Sequence, residues 1–171
     1  MEKIKDLIRN IPDFPKEGIL FRDITTLLKD SDGFKKVIDI LAERYKDKKI
    51  DYILGAESRG FIFGAPLAYA IGAGFIPVRK PGKLPYNIVQ AFYELEYGTD
   101  SLEMHTDAIE KGKKVLIIDD LLATGGTAKA IIELVEKLEG DIEEIAFIIE
   151  LEGLNGRKKL KDYDIYSMIK Y

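Results

Sequence analysis

Lys114-Val-Leu-Ile-Ile-Asp-Asp-Leu-Leu-Ala-Thr-Gly-Gly-Thr127 is the stretch whose reading decides the fold. Val115 to Ile118 is a short apolar run rich in β-branched residues, suited to a strand buried on both faces of a parallel sheet. Asp119 and Asp120 follow at its C-terminal end, where open α/β sheets bind their ligands. A small-residue turn comes next, Ala123-Thr124-Gly125-Gly126-Thr127, and then Ala128 to Leu138 with helical apolar spacing at Ile131, Leu134, Val135 and Leu138. Glycines let successive N–H groups curl inward at the helix start. That makes an anion site, to which the two threonine hydroxyls add donors. Neither G-x-x-x-x-G-K-S/T nor G-x-G-x-x-G is present, so a lysine for a β- or γ-phosphate and a dinucleotide fingerprint are both missing. What remains is a cradle for one phosphate beside two carboxylates. Such acids accept from the hydroxyls of a phosphorylated polyol or help to attract a hydrated Mg²⁺. A lone Gly-Gly would mark only a tight turn; acids, threonines and glycines together at a strand end favour a ligand site.

The totals agree with a single globular domain. The 171 residues are enough for a substantial core, and the hydrophobic share of 46% argues against disorder. A net charge of −4 disfavours broad nucleic-acid binding. With no cysteines there are no disulfides or thiolate metal sites, which fits a reducing compartment. The opening Met-Glu-Lys-Ile-Lys-Asp lacks an apolar signal core. Gly60 to Val78 runs nineteen residues without a charge, but four glycines and two prolines break it into a helix, Gly60 to Ile71, and a strand, Phe75 to Arg79. No membrane segment is expected.

Outward from the central stretch, residues 2–9 read as a short helix and Ile11 to Gly18 as a turn, since two prolines in four residues stop a helix. Ile19 to Thr25 is extended, either an arm docked on the core or a hood over a bound ring. Ser31 to Lys48 is an amphipathic helix capped by Ser31, with Phe34, Val37, Ile38, Leu41 and Tyr45 on its apolar stripe. Ile50 to Leu54 is a strand that ends in Gly55-Ala-Glu-Ser-Arg-Gly60. Arg59 at a helix start opposes the helix dipole unless an anion binds there, which singles out Glu57, Ser58 and Arg59. Arg79, Lys80 and Lys83 cluster after the third strand. Alone they would be a solvated basic turn; beside two anion-suited loops they point to a polyphosphate. Tyr86 to His105 reads as a hairpin that turns at Gly98-Thr99-Asp100, with Glu94 and Glu96 on one face, as open to a solvated edge as to catalysis. His105, the only histidine, reads as an exposed loop residue. Asp141 to Leu151 is the last buried strand, 157–161 is basic and helical, and Ile165 to Ile169 is an edge strand. Alternating strands and helices indicate an α/β fold with a mainly parallel sheet flanked by helices.

Asp119-Asp-Leu-Leu-Ala-Thr-Gly-Gly-Thr127 resembles the phosphoribosyl-pyrophosphate signature of the type I phosphoribosyltransferase family. Val78-Arg-Lys-Pro-Gly-Lys-Leu-Pro85, Leu95-Glu-Tyr-Gly98 and Pro15-Lys-Glu-Gly-Ile-Leu-Phe-Arg-Asp-Ile24 resemble its adenine-using branch, and the likeness covers nearly the whole chain. The resemblance implies the type I fold in one domain, with an N-terminal hood (1–30) and a mobile catalytic hairpin (86–105). It implies conversion of adenine and phosphoribosyl pyrophosphate to AMP and pyrophosphate by a cytoplasmic homodimer. Mg²⁺ would be held by substrate pyrophosphate and ribose hydroxyls, not by a protein cage. Ala123, Thr124, Gly125, Gly126 and Thr127 would take the 5′-phosphate, and Asp119 and Asp120 the ribose. Glu57, Ser58, Arg59, Arg79, Lys80 and Lys83 would take the pyrophosphate, Arg79 across a dimer interface, and the peptide before Ser58 is often cis in the family. Leu20, Phe21, Arg22 and Leu121 would enclose adenine, and Glu96 would act as acid/base, with Arg59 stabilising the leaving group. The alternatives are a 6-oxopurine or orotate phosphoribosyltransferase, which shares the phosphate loop, and a phosphoribosyl-pyrophosphate-sensing regulator fused to a DNA-binding domain. The acidic charge and the fewer than twenty residues ahead of the resembling region weigh against the regulator.

Overall fold

The computed structural model describes residues 2–95 and 98–171. The chain divides into two compact units, Met1–Arg44 and Tyr45–Tyr171.

In the smaller unit, helix α1 is Glu2–Asp6, shorter than the 2–9 expected from sequence. Residues 9–11 instead form strand β1 (Arg9–Ile11), antiparallel to β2 (Phe21–Asp23). The reason lies across the pair: Arg9 donates to Asp23 through Nε and Nη2 at 3.0 and 2.5 Å, a contact that helical continuation would break. Those hydrogen bonds from Arg9, with help from Thr25, hold the Asp23 carboxyl down at about 2. Helix α2 (Thr25–Lys29) is followed by α3 (Ser31–Tyr45). The cap of α3 is Asp30, not Ser31. Asp30 Oδ1 accepts from the Gly33 N–H at 2.7 Å, the geometry of a capping carboxylate three residues ahead of its donor. Val37, Leu41 and Tyr45 are buried, as the apolar stripe requires, and Phe34 and Ile38 are half-buried.

The larger unit is built on a five-stranded sheet in which every neighbouring pair is parallel. Its strands are β3 (Tyr52–Ala56), β4 (Gly74–Val78), β7 (Lys114–Leu122), β8 (Asp141–Glu150) and β9 (Ile165–Lys170), in the order β4-β3-β7-β8-β9. Between β3 and β4 lies helix α4 (Arg59–Ile71), and between β7 and β8 lies α5 (Gly126–Lys137). From the β3/β7 boundary the chain winds outward in both directions, which opens a crevice at the strand C-termini. Val115 to Ile118 are at most 1% exposed, so the β-branched run is the centre of the sheet. β5 (Ile88–Leu95) and β6 (Gly98–His105) form a separate antiparallel hairpin. Among the described residues no helix is long and apolar enough to cross a membrane.

The cap assignment has a direct test. Asp30→Ala should lower unfolding free energy by about 1 kcal/mol, the usual worth of a capping side chain. Ser31→Ala should stay within about 0.5 kcal/mol of the parent, as for a surface site without such a bond. Urea denaturation of both variants checks this, and the reverse ranking would return the cap to Ser31.

Candidate active site

β7 does not stop at Ile118, where the apolar run ends. It continues through Asp119 and Asp120 to Leu122, because β8 goes on supplying backbone partners, Phe147 opposite Asp119 and Glu150 opposite Leu122. β3 pairs with β7 only from Val115 to Ile118. The two acids therefore stand on a strand end paired on one side, with the crevice on the other. Gly60, in the first turn of α4, is packed so close that a Cβ there would stand 2.8 Å from the Ile118 carbonyl oxygen.

The turn beyond β7 is held by Gly125. Its φ of 80° is left-handed, and a Cβ would come within 2.7 Å of the Gly156 carbonyl oxygen. Gly125 occupies the N-cap of α5, and its carbonyl accepts from the Lys129 N–H at 3.0 Å. A small cavity of about 60 Å³ opens here, lined by the turn from Ala123 to Ala128 with Asp119, Leu121 and Phe147. Unpaired N–H groups of a helix's first turn suit an anion.

Next to it lies a crevice of about 260 Å³ that brings together Ser58, Arg59, Lys80, Asp119, Asp120 and Thr127 from three loops. Asp120 is 5% exposed and accepts from Arg59 Nε at 2.5 Å, while its own N–H donates to Asp119 Oδ1 at 2.8 Å. Burial, and then the neighbouring Asp120 charge, push the Asp119 carboxyl well above the usual carboxylate range. A ligand that offers hydroxyls or a cation relieves both causes. The Glu57–Ser58 peptide is cis.

Glu57 organises the basic turn. Its Oε2 accepts from Arg79 Nε at 3.1 Å and from the Lys80 N–H at 2.9 Å, and its Oε1 pairs with Lys83. Burial alone would raise this carboxyl; the bonds from Lys83, Lys80 and Arg79 outweigh it and hold the pKa at about 2. Glu57 thus serves the cations of the turn with its carboxylate. Arg79 is also bridged to β6, exchanging backbone hydrogen bonds of 2.9 and 2.8 Å with Glu103. The buried Glu103 side chain accepts from the Gly82 N–H at 3.0 Å.

Lys80 turns the other way, onto the hairpin. Its ammonium bonds to the Tyr93 hydroxyl and to Asp100, and lies 5.1 Å from the centre of the Tyr93 ring. Tyr93 and Asp100 face each other in register and share a hydrogen bond of 2.9 Å. Burial works to lower the Lys80 pKa, but Asp100 and Tyr93 raise it on balance. This corrects the expected turn at Gly98-Thr99-Asp100: these residues begin β6, and the turn-favouring Asp100 is taken up by Lys80 and Tyr93. Tyr93, Asp100 and Glu103 were not singled out in the sequence. The only available signal was alternation, which Glu94 shares. Glu96 lies outside the described residues. His105 ends β6 half-buried; it accepts from the Tyr86 N–H at 3.4 Å and packs edge-on to that ring, so it is not an exposed loop residue.

Of the expected base-enclosing residues, Leu121 is half-buried in β7 beside the acids. Leu20, Phe21 and Arg22 belong to the smaller unit. There Phe21 packs edge-on against Phe14 with ring centres 5.1 Å apart, and Arg22 donates to Asn10.

Known proteins resemble this chain in sequence and fold. Residues 23–170 match the phosphoribosyl transferase domain family. The chain is 60% identical over 169 residues to the adenine phosphoribosyltransferase of Brachyspira hyodysenteriae, covering 99% of each chain. The crystal structure of adenine phosphoribosyltransferase from Thermoanaerobacter pseudethanolicus superposes with a TM-score of 0.96 at 58% identity, over 99% of both chains. The Saccharomyces cerevisiae enzyme, solved with D-2,5-dideoxy-2,5-imino-altritol 1,6-bisphosphate and adenine, superposes with a TM-score of 0.93 at 46% identity, over 98% of this chain and 97% of that one. With a signature turn, a parallel sheet and full-length relatives all in agreement, the chain belongs to the adenine phosphoribosyltransferases of the phosphoribosyltransferase family.

Proposed function

We propose that this chain transfers the phosphoribosyl group of phosphoribosyl pyrophosphate to adenine, releasing pyrophosphate and forming AMP in purine salvage. The observation that carries it is the acid pair Asp119–Asp120 set one strand end before a left-handed Gly125 cradle and opposite Arg59 and Lys80 in one crevice. One phosphate, two hydroxyls and a polyanion are what that set of groups recognises. The family match runs across both compact units, which supports one phosphoribosyltransferase domain with a hood and a hairpin. A cytoplasmic homodimer goes with the same reading, as the family resemblance implies.

Ala123 to Thr127 hold the 5′-phosphate, and Asp119 and Asp120 accept from the ribose hydroxyls. Adenine N9 displaces pyrophosphate at C1′ through an oxocarbenium-like transition state, as in glycoside chemistry. Negative charge accumulates on the leaving group as positive charge grows on the sugar. Ser58, Arg59, Lys80, Lys83 and Arg79 meet the first, with Glu57 keeping the basic turn in place. Positioned charge of this kind is usually the largest catalytic contribution. Mg²⁺ suits the donor set, since it keeps several waters and binds through one or two carboxylates together with substrate phosphates. Asp119 and Asp120 are the carboxylates it would face, and the ion would neutralise the pyrophosphate. Glu96 manages the adenine proton, and closure of its hairpin keeps water from the activated ribose. In the hood, main-chain groups of Leu20 and Arg22 read the base; among the described residues β2, which carries Arg22, pairs only with β1. The family resemblance assigns Phe21 and Leu121 to the ring.

Three outcomes test this reading. Gly125→Val should raise KM for phosphoribosyl pyrophosphate or abolish activity, because the turn is left-handed and a side chain meets Gly156; a folded variant with parental kinetics would remove the cradle from the site. Glu96→Gln should lower kcat by roughly two to four powers of ten with less effect on KM, as for a general acid/base; unchanged kcat would return Glu96 to a solvated face. Adenine should be preferred to hypoxanthine by roughly 10⁴-fold or more in kcat/KM, because main-chain readers cannot exchange donor for acceptor. Truncating Arg22 should spare this preference better than Arg59→Ala spares turnover. Comparable rates with hypoxanthine would move the chain to the 6-oxopurine enzymes, and absence of turnover with any base would favour a sensor.

A further inference from the structure

Against the phosphate turn packs a short 3-10 turn, Gly156–Leu160, which overlaps the stretch 157–161 that the sequence reads as basic and helical. Its first residue is packed backbone to backbone against the phosphate turn. A Cβ on Gly156 would stand 2.4 Å from the Ala123 carbonyl oxygen and 2.8 Å from Leu122 Cδ1; a Cβ on Gly125 would stand 2.7 Å from the Gly156 carbonyl oxygen. Gly125 is therefore required by the Gly156 main chain, and Gly156 by the Ala123 carbonyl and the Leu122 side chain. Asn155, immediately before, is left-handed at φ 54°, so the chain bends sharply into the contact.

Arg157 fastens this piece to the sheet. Its Nε and Nη2 donate to the two oxygens of Glu150 at 2.7 and 2.8 Å, a two-pronged pair. The same guanidinium donates to the Ile165 carbonyl and to Ser167 Oγ, each at 3.2 Å. Glu150 is 4% exposed and sits opposite Leu122 in the β7–β8 register, one residue before the phosphate turn begins. The Leu151 N–H donates to the Leu122 carbonyl at 3.0 Å, tying the same spot once more. At the far end of the 3-10 turn Leu160 is fully buried in the core cluster that contains Leu122 and Ala128. Two of the four hydrogen bonds that Arg157 donates go to Glu150 at the C-terminal end of β8, beside the cradle, and the other two go to β9. A surface arginine with no structural task would not meet a buried carboxylate at two points.

We infer that Gly156 and Arg157 are positioning residues for the phosphate turn: the Gly156 backbone is the wall against which Ala123 to Gly125 rest, and the Arg157–Glu150 pair holds that wall to the sheet. This rests on the reading of Ala123 to Thr127 as the 5′-phosphate cradle. The cradle's N–H groups bind one small anion, so a displacement of the order of 1 Å is enough to weaken it substantially. Lysine cannot replace Arg157, because an ammonium is a point charge and cannot span Glu150, Ile165 and Ser167 together.

Calorimetric titration of the full chain with ribose 5-phosphate, and separately with pyrophosphate, tests this. Gly156→Ala and Arg157→Ala should each weaken ribose 5-phosphate binding by about tenfold or more, with pyrophosphate affinity kept, and Arg157→Lys should recover only part of the loss. Gly125→Val serves as the control for the cradle itself. If Gly125→Val loses ribose 5-phosphate while Gly156→Ala and Arg157→Ala bind it as the parent does, the positioning role is overturned and the cradle stands. If Gly125→Val binds it normally, the cradle reading falls first. Equal losses for both ligands would reduce Gly156 and Arg157 to general stability. Should Arg157→Ala fail to fold, Gly156→Ala decides alone, since it leaves the Arg157–Glu150 pair intact.

Discussion

β3 and β7 part company at Ile118. Up to that residue β7 is paired on both sides; beyond it only β8 follows, as far as Leu122. A central strand paired on one side for four more residues has to satisfy the groups on its open edge by other means. Here that edge carries Asp119 and Asp120 and ends in the Gly125 turn, so two carboxylates and a helix start converge on neighbouring cavities. The winding of the chain changes sense at the same boundary, β4 lying to one side and β8 to the other, which brings the loop after β3 face to face with the loop after β7. Arg59 can then reach Asp120 although 61 residues separate them. Shift that boundary by one strand and the site residues, unchanged in sequence, would no longer share a cavity.

The electrostatics follow from this crowding. The cations suited to a polyphosphate are each matched with an acid: Arg59 with Asp120, Arg79 and Lys83 with Glu57, and Lys80 with Asp100. A cluster of positive charge without such partners would repel itself and loosen the loops that carry it. The partners are not alike in what they do. Glu57 takes the Lys80 backbone N–H as well as two side chains, and so shapes the turn. Asp120 and Asp100 each hold one cation, from positions that face the crevice or the hairpin. In the proposed reading an incoming anion would exchange partners with groups already aligned, so the reorganisation needed at binding would be small.

The hairpin holds the basic turn. Through Glu103 it fixes the Gly82 bend and the Arg79 backbone; through Tyr93 and Asp100 it fixes Lys80. The basic turn is thus held from β3 on one side and from the hairpin on the other. The turn proposed to hold the 5′-phosphate rests on Gly156. Loops that carry function are often the least ordered parts of a fold; here each is backed by a second piece of chain.

The sequence by itself determined the pieces whose physics is local. Strand, acids, glycine turn and helix follow one another from Val115 to Leu138 without a gap, so composition and periodicity read them together. The basic turn at Arg79 to Lys83 is equally compact. Glu96 entered as a candidate because glutamates alternate in the hairpin and the Leu95-to-Gly98 stretch resembles a family motif. What stayed illegible needed a partner far along the chain. Asp100 looks like a turn residue until Lys80 claims it from twenty positions away. Asp23 gives no sign that Arg9 will draw a strand out of a helical stretch. Gly156 and Arg157 look like part of a basic surface turn until Ala123 and Glu150 lie beneath them. Local propensity reports what a segment prefers when its neighbours in space are unspecified. Only the tertiary structure specifies those neighbours, and buried carboxylates and close backbone contacts are the interactions strong enough to override the preference.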